Sequence, residues 1–316
     1  MNLSGFYTVV ITLFILMAVG YFAYRLHIVD DTAANRLSKL IICIGQPCMI
    51  INAFVKYQYT KSDFINGFTV VGLGILLHAL MAVIAFAACK VFRFRSFDEA
   101  KITEFAIIFG NCGFLGFPLM ESLFGAEGLF LAAFFNISFQ IGVWTWGIAI
   151  MARKRKDIRL TPKKILLNYG TVPCLIGIVI YLVSPYFTCP APLASTFSYL
   201  AALCTPVSVV VTGALLATRK PKQIFADPQI YYLSAVKLLI VPLVVCLIAH
   251  FCGLNDNMTV FLTIMAAVPS ASTVTMLAEL YGISPGYASQ AVGASSLLSV
   301  ATMPAVIALA SLIIKI

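Results

Sequence analysis

Ten stretches of mostly apolar residues, each long enough to cross a bilayer, set the terms for this chain: Leu3–Tyr24, Ala34–Val55, Ile65–Phe92, Lys101–Leu123, Gly128–Ala152, Ile165–Phe187, Ala194–Ala217, Gln229–Gly253, Met258–Tyr281 and Gly286–Ile313. A membrane-crossing helix needs about 20 such residues. The loops between them are short and carry either charge or helix-breaking Pro and Gly, as in Arg93-Phe94-Arg95-Ser96, Lys220-Pro221-Lys222 and Ile283-Ser284-Pro285-Gly286. Composition agrees: only 10% of the 316 residues are charged and 61% are hydrophobic, against roughly 25% charged in an average soluble protein. So few charges cannot cover a water-facing surface, which excludes a cytosolic enzyme, a nucleic-acid binder and a disordered chain. The expected fold is an all-α integral membrane protein forming one domain, 1–316. The first run lacks a basic start and a small-residue cleavage site, so it is expected to span rather than to be removed.

Lys and Arg set the expected orientation. Of the 21, seventeen fall in one set of alternate loops: Arg25, Arg36, Lys39; Lys90, Arg93, Arg95, Lys101; Arg153, Lys154, Arg155, Lys156, Arg159, Lys163, Lys164; Arg219, Lys220, Lys222. The opposite side holds Lys56, Lys61 and Lys315, and Lys237 lies within a span. Both termini are therefore expected outside the cytoplasm of a cell (inner) membrane. The run Arg153-Lys154-Arg155-Lys156 is a topology signal rather than a nucleic-acid patch. Most of the nine cysteines lie in apolar runs and behave as small hydrophobes. Cys189 and Cys252 are the pair that an oxidising space would allow to meet.

Weak internal symmetry is also visible. Pro47 and Pro206 sit in similar apolar settings 159 residues apart, as do His78 and Lys237, and Leu123-Phe124-Gly125 recurs 157 residues later as Leu280-Tyr281-Gly282. Such an offset spans five helices, an odd number, so the halves are expected to cross in opposite senses: repeat one 1–152, a cytoplasmic loop 153–164, repeat two 165–316. Inverted repeats with midplane sites at broken helices are a common architecture of secondary transporters.

The equivalent helices four and nine both read as broken. The former carries Gly110-Asn111-Cys112-Gly113-Phe114-Leu115-Gly116-Phe117-Pro118, and the latter Pro269-Ser270-Ala271-Ser272-Thr273. A Gly weakens a helix by roughly 1 kcal/mol and a Pro by about 3, and irregular backbone at membrane depth survives only inside protein or beside a cavity. Gly110, Gly116, Pro118 and Pro269 are the expected helix breakers. Broken ends expose N–H groups and positive partial charge. Substrate would then meet Asn111, Cys112, Gly113, Pro269, Ser270, Ser272 and Thr273. Lys237 is costly in lipid and joins them as a functional candidate, its structural alternative being a tie to Glu104 or to helix-end carbonyls. His78 is a candidate proton carrier. No Asp or Glu is expected at midplane, which favours an anionic substrate over a cation. No metal, cofactor or catalytic residue is expected, since H-E-x-x-H, G-x-S-x-G and paired intramembrane aspartates are all missing.

Gly110-Asn111-Cys112-Gly113-Phe114-Leu115-Gly116-Phe117-Pro118-Leu119 followed by Leu123-Phe124-Gly125 resembles the helix-four motif of the auxin efflux carrier family, which includes bacterial malate and malonate permeases and the plant PIN exporters. Ala266-Ala267-Val268-Pro269-Ser270 through Ala278-Glu279-Leu280-Tyr281-Gly282 resembles its helix-nine crossover, and Lys237-Leu238-Leu239-Ile240-Val241-Pro242 its basic helix-eight motif. The resemblance covers essentially the whole chain. It implies ten helices in two inverted five-helix repeats with crossing helices four and nine, in a fold like that of sodium/proton antiporters and bile-acid symporters. It also implies organic-anion transport by an elevator-type movement, a proton or sodium ion as coupling partner, and a homodimer. Two departures turn the expectation from auxin toward a small mono- or dicarboxylate: Gly110 stands where the PIN exporters have proline, and only Arg153–Lys164 stands where they have a long loop. The rival readings are a ligand-binding membrane sensor and an anion channel.

Overall fold

The computed structural model describes residues 3–155, 167–217 and 227–314, all helix and connecting loop with no β-strand among them. Lys156, Arg159, Lys163, Lys164, Arg219, Lys220, Lys222 and Lys315, which carry part of the expected charge bias, lie outside the described residues, as does the start of the run from Ile165. The helices are α1 (Leu3–Arg25), α2 (Asp31–Leu40), α3 (Gln46–Val55), α4 (Lys61–Val91), α5 (Phe97–Ile108), α6 (Phe117–Gly142), α7 (Ile148–Ala152), α8 (Thr171–Val183), α9 (Ala191–Ala217), α10 (Pro228–Ala235), α11 (Val241–Phe251), α12 (Asp256–Ala267), α13 (Thr273–Tyr281) and α14 (Pro285–Ile314). Among the described residues, seven stretches are long and apolar enough to cross a membrane: Tyr7–Arg25, Asp31–Val55, Lys61–Val91, Cys112–Ala152, Ala191–Ala217, Pro228–Phe251 and Pro285–Ile314. The 13-residue α8 is apolar but shorter. All nine cysteines are free thiols, Cys189 and Cys252 included.

Several of these stretches are continuous only because one turn widens. Ile41–Gly45, Cys112–Gly116 and Val236–Ile240 are π-helical turns, and in each case a proline (Pro47, Pro118, Pro242) follows two residues after the turn ends. A proline offers no N–H and its ring collides with the carbonyl four residues earlier. Here that carbonyl falls inside the widened turn. Gln46 N–H accordingly donates to the Ile41 carbonyl, and Val241 N–H to that of Val236, five residues back in each case. A π turn thus lets the helix pass a proline with its backbone still paired. Gly125 divides the 41-residue stretch instead, at φ 64° and ψ −145°.

The chain forms two compact units. The first takes the described residues of Met1–Ile75, Gly113–Thr145 and Leu160–Thr218. In it α1 packs on α9 with backbones nearly touching: a Cβ on Gly20 would lie 1.9 Å from the Val210 carbonyl oxygen, and one on Gly213 1.9 Å from that of Met17. Small residues permit this approach, the common way to pack helices where lipid removes the hydrophobic drive. Its aromatic core joins Phe54, Phe130, Phe134 and Tyr181, with Tyr57 stacked on Phe130 at 4.3 Å.

The second unit takes the described residues of Leu76–Cys112, Trp146–Arg159 and Arg219–Ile316. Polar side chains tie together the starts of α5 and α10 and the end of α7. Arg95 pairs with Asp227 and with Glu99, Gln229 donates to Glu99, Lys101 pairs with Asp98 and reaches the Arg153 carbonyl, and Arg153 pairs with Glu104. The hydrogen bond to Glu99, with Asp227 beside it, raises the pKa of the Arg95 guanidinium. Thr103 and Tyr287 hydroxyls meet at 2.8 Å.

Candidate functional site: two broken helices and a buried lysine

Within the second unit, α5 and α12 are built alike. Each is 12 residues long, about 18 Å at 1.5 Å per residue, and too short to cross a bilayer. Ser96 caps α5 by accepting from Glu99 N–H, and Asn255 caps α12 by accepting from Met258 N–H. Both helices stop in extended backbone, Phe109 at φ −102°, ψ 105° and Val268 at φ −57°, ψ 143°. The first and last residues, the caps, the capped amides and these extended residues all correspond at one offset of 159 positions.

The two extended ends pair with each other. Gly110 and Ser270 form a single antiparallel β-bridge. Asn111 N–H donates to the Pro269 carbonyl at 2.7 Å and Ala271 N–H to the Phe109 carbonyl at 2.9 Å. Ser270 Oγ donates to the Ala106 carbonyl at 3.0 Å, and the Ser270 N–H reaches Ser295 Oγ at 3.3 Å. These bonds answer the backbone groups that the two breaks release, as low-dielectric surroundings require. Beyond the crossing, helix resumes at Thr273 on one path and in the turn from Cys112 on the other.

Lys237 is the charged group at this crossing. It lies in the π turn between α10 and α11, is 0% exposed, and its Nζ has no hydrogen-bond partner among the described residues. A Cβ built on Gly110 would sit 3.0 Å from that Nζ and 2.7 Å from Val268 Cγ2. Any residue larger than glycine at 110 would therefore crowd the amine. Cys112 is within electrostatic reach of Lys237 as well. The tie to Glu104 considered from sequence is not made, because Glu104 pairs with Arg153. Ser234, one helical turn before Lys237, is buried with its hydroxyl likewise unpartnered.

The sequence-chosen residues divide as follows. Gly110, Asn111, Cys112, Pro269, Ser270 and Lys237 come together at the crossing, with Asn111 9% exposed. Ser272 and Thr273 stand at the start of α13, whose N-terminus carries positive partial charge. Gly113, Gly116 and Pro118 belong to the first unit. There Gly116 closes a π turn and Pro118 opens α6, so neither lies in the unwound stretch. His78 is buried in α4, its ring 5.7 Å from that of Phe109.

Sequence reading passed over a cavity of about 180 Å³ in the first unit, lined in part by Asn52, Lys56, Glu121, Ser198 and Thr205. Lys56 and Glu121 each belong to a different helix end and only folding brings them to one cavity. One cation and one anion there leave no net charge to select an anion. Lys237 has no such counter-charge among the described residues.

A family model described as membrane transport protein matches residues 6–307. Over 305 residues, 93% of this chain and 92% of the other, the sequence is 27% identical to a protein of Rhizobium meliloti named "Putative malonate transporter". It is 24% identical over 301 residues to an "Uncharacterized transporter" of Methanothermobacter thermautotrophicus, covering 93% of this chain and 95% of that one. A third relative, the "Uncharacterized transporter YfdV" of Escherichia coli strain K12, is 23% identical over 280 residues, 85% of this chain and 86% of its own. With a family match over nearly the whole chain, and helices that break where the family-like motifs lie, this chain belongs to the membrane transport protein family, that of the auxin efflux carriers.

Proposed function

We propose that this membrane transporter is a secondary active carrier of a small organic anion, a mono- or dicarboxylate, which binds at the crossing of α5 with the α12–α13 break. The observation that carries the reading is Lys237: a buried amine without a hydrogen-bond partner among the described residues, beside two unwound backbones. Burying an unpaired charge is expensive, and a substrate carboxylate supplies the missing partner. Asn111, Ser272, Thr273 and the α13 N-terminus add donors of the kind a carboxylate accepts, while Cys112 and Pro269 shape the space. Ser270, its hydroxyl committed to Ala106, holds the crossing in place.

Matching of α5 and α12 at one offset supports two inverted five-helix repeats within a single domain, an architecture that serves alternating access; the elevator type of movement is what the family resemblance implies. A coupling proton or sodium ion, a proton role for His78, a homodimer, and a cell-membrane location with both termini outside belong to the same proposal. The malonate in the name of the Rhizobium relative supports a carboxylate as cargo.

Uptake of radiolabelled carboxylates into proteoliposomes tests the reading. A carrier saturates and is accelerated by substrate on the far side; Lys237→Gln abolishes that flux and Lys237→Arg retains part of it. Unsaturable flux would favour a channel, binding without flux a sensor, and full activity of Lys237→Gln would overturn the site.

A further inference from the structure

We propose that the crossing takes its substrate as a monovalent anion, so that a dicarboxylate binds with one of its carboxyl groups protonated; this rests on the carboxylate site proposed above. The support is a charge inventory of the second unit. Among the described residues its buried Asp, Glu, Lys and His side chains are Asp227, Glu104, Lys101, Lys237 and His78. Asp227 pairs with Arg95, Glu104 with Arg153, and Lys101 with Asp98. His78 packs its ring against Phe109. Lys237 is left as the one lysine of this set without an acidic partner among the described residues.

The crossing therefore offers one unpaired amine, that of Lys237, to carry a full positive charge. The donors around it, an amide, hydroxyls and a helix N-terminus, carry only partial charges. One carboxylate neutralises Lys237. A second would enter a dry site with nothing of full charge to meet it, and an uncompensated buried charge is among the costliest groups a protein can hold. Neutrality of the loaded site also suits transport, since a neutral complex crosses the low-dielectric layer without the penalty a net charge meets there.

Dicarboxylates of three to five carbons and their monoamides separate the cases, because each pair matches in shape and differs by one charge. Binding to purified protein is measured by ligand-induced thermal stabilisation, for the wild type and for Lys237→Gln, at about pH 7.5, well above ordinary carboxyl pKa values. The expected result is that the best monoamide binds at least tenfold more tightly than its parent dianion, and that Lys237→Gln removes the stabilisation. A dianion that binds more tightly than its monoamide, with the binding still dependent on Lys237, overturns the monovalent inference and leaves the carboxylate site standing. Absence of stabilisation by either set, or stabilisation that survives Lys237→Gln, overturns the carboxylate site and this inference with it.

Discussion

Replacing Gly110 with alanine is the smallest change that reaches the crossing. The new Cβ would lie 2.7 Å from Val268 Cγ2, 3.0 Å from Lys237 Nζ and 3.3 Å from the Val268 carbonyl oxygen. Non-bonded carbons prefer about 3.5–4.0 Å, so the methyl overlaps Val268 by roughly an ångström. Backbone movement cannot relieve it cheaply, because the Asn111 and Ala271 amides pin the two strands together at 2.7 and 2.9 Å. Val268 is itself 0% exposed. Gly110 is not among the glycines with positive φ, so the penalty is steric rather than conformational. Overpacking of a closed core costs about 1–3 kcal/mol, and here it also displaces the amine proposed to hold substrate. Gly110→Ala should lower thermal stability in detergent by that amount and reduce uptake more than tenfold. Val268→Ala removes the atom in closest conflict, so the double variant should be less destabilised than the two single changes together. Wild-type stability and uptake in Gly110→Ala, or strict additivity with Val268→Ala, would refute the packing described at the crossing.

Further predictions concern charge, packing and topology. Asn111→Asp keeps the shape but puts a negative charge where an anion must bind, so uptake near neutral pH should be lost while expression and helix content stay unchanged; Asn111→Ser should retain more transport than Asp. Gly213→Ala would bring a Cβ within 1.9 Å of the Met17 carbonyl oxygen, so it should separate α1 from α9 and cost about 3 kcal/mol or more, read as loss of the folded fraction in detergent. Cysteines introduced near residues 2 and 315 should react with an impermeant reagent in intact cells, and reaction only after permeabilisation would reverse the proposed orientation.

The sequence made the crossing legible because its chemistry is local. Three glycines and Pro118 marked one break and Pro269 the other, and Lys237 stood out as a charge inside an apolar run. The exact unwound residues, Phe109–Asn111, were less legible, since Pro118 lies well beyond them. A proline predicts a disturbance of its helix, but the outcomes differ: α9 and α14 run on through Pro206 and Pro304, while other helices unwind or widen into a π turn. At Pro47, Pro118 and Pro242 the widened turn satisfies the freed carbonyls within the helix. At Phe109 and Pro269 the partner is the other broken strand, 160 positions away, which no local pattern announces. The repeat was likewise faint in residue identities yet plain in geometry: Ser96 and Asn255 differ in type and cap in the same way. Leu123-Phe124-Gly125 and Leu280-Tyr281-Gly282 each end on a glycine of positive φ, though ψ differs, −145° at Gly125 and 38° at Gly282. Ion pairing was hidden altogether, for Arg153 and Arg95 counted as topology charges until folding set them against Glu104 and Asp227.

Carboxylate binding by Lys237 is the claim on which the rest depends, and calorimetric titration of the tightest-binding carboxylate into wild-type protein and Lys237→Gln measures it most directly. Truncating one partner of a buried, hydrogen-bonded charge pair costs about 2–5 kcal/mol, thirtyfold or more in affinity. Lys237→Gln should therefore bind at least roughly thirtyfold more weakly by that measure. Its ligand-free stability should be equal to or above that of the wild type, because the change removes a buried amine that has no partner among the described residues. Equal affinity in the two proteins, or a ligand-free Lys237→Gln variant that unfolds while still binding carboxylate normally, would contradict the account.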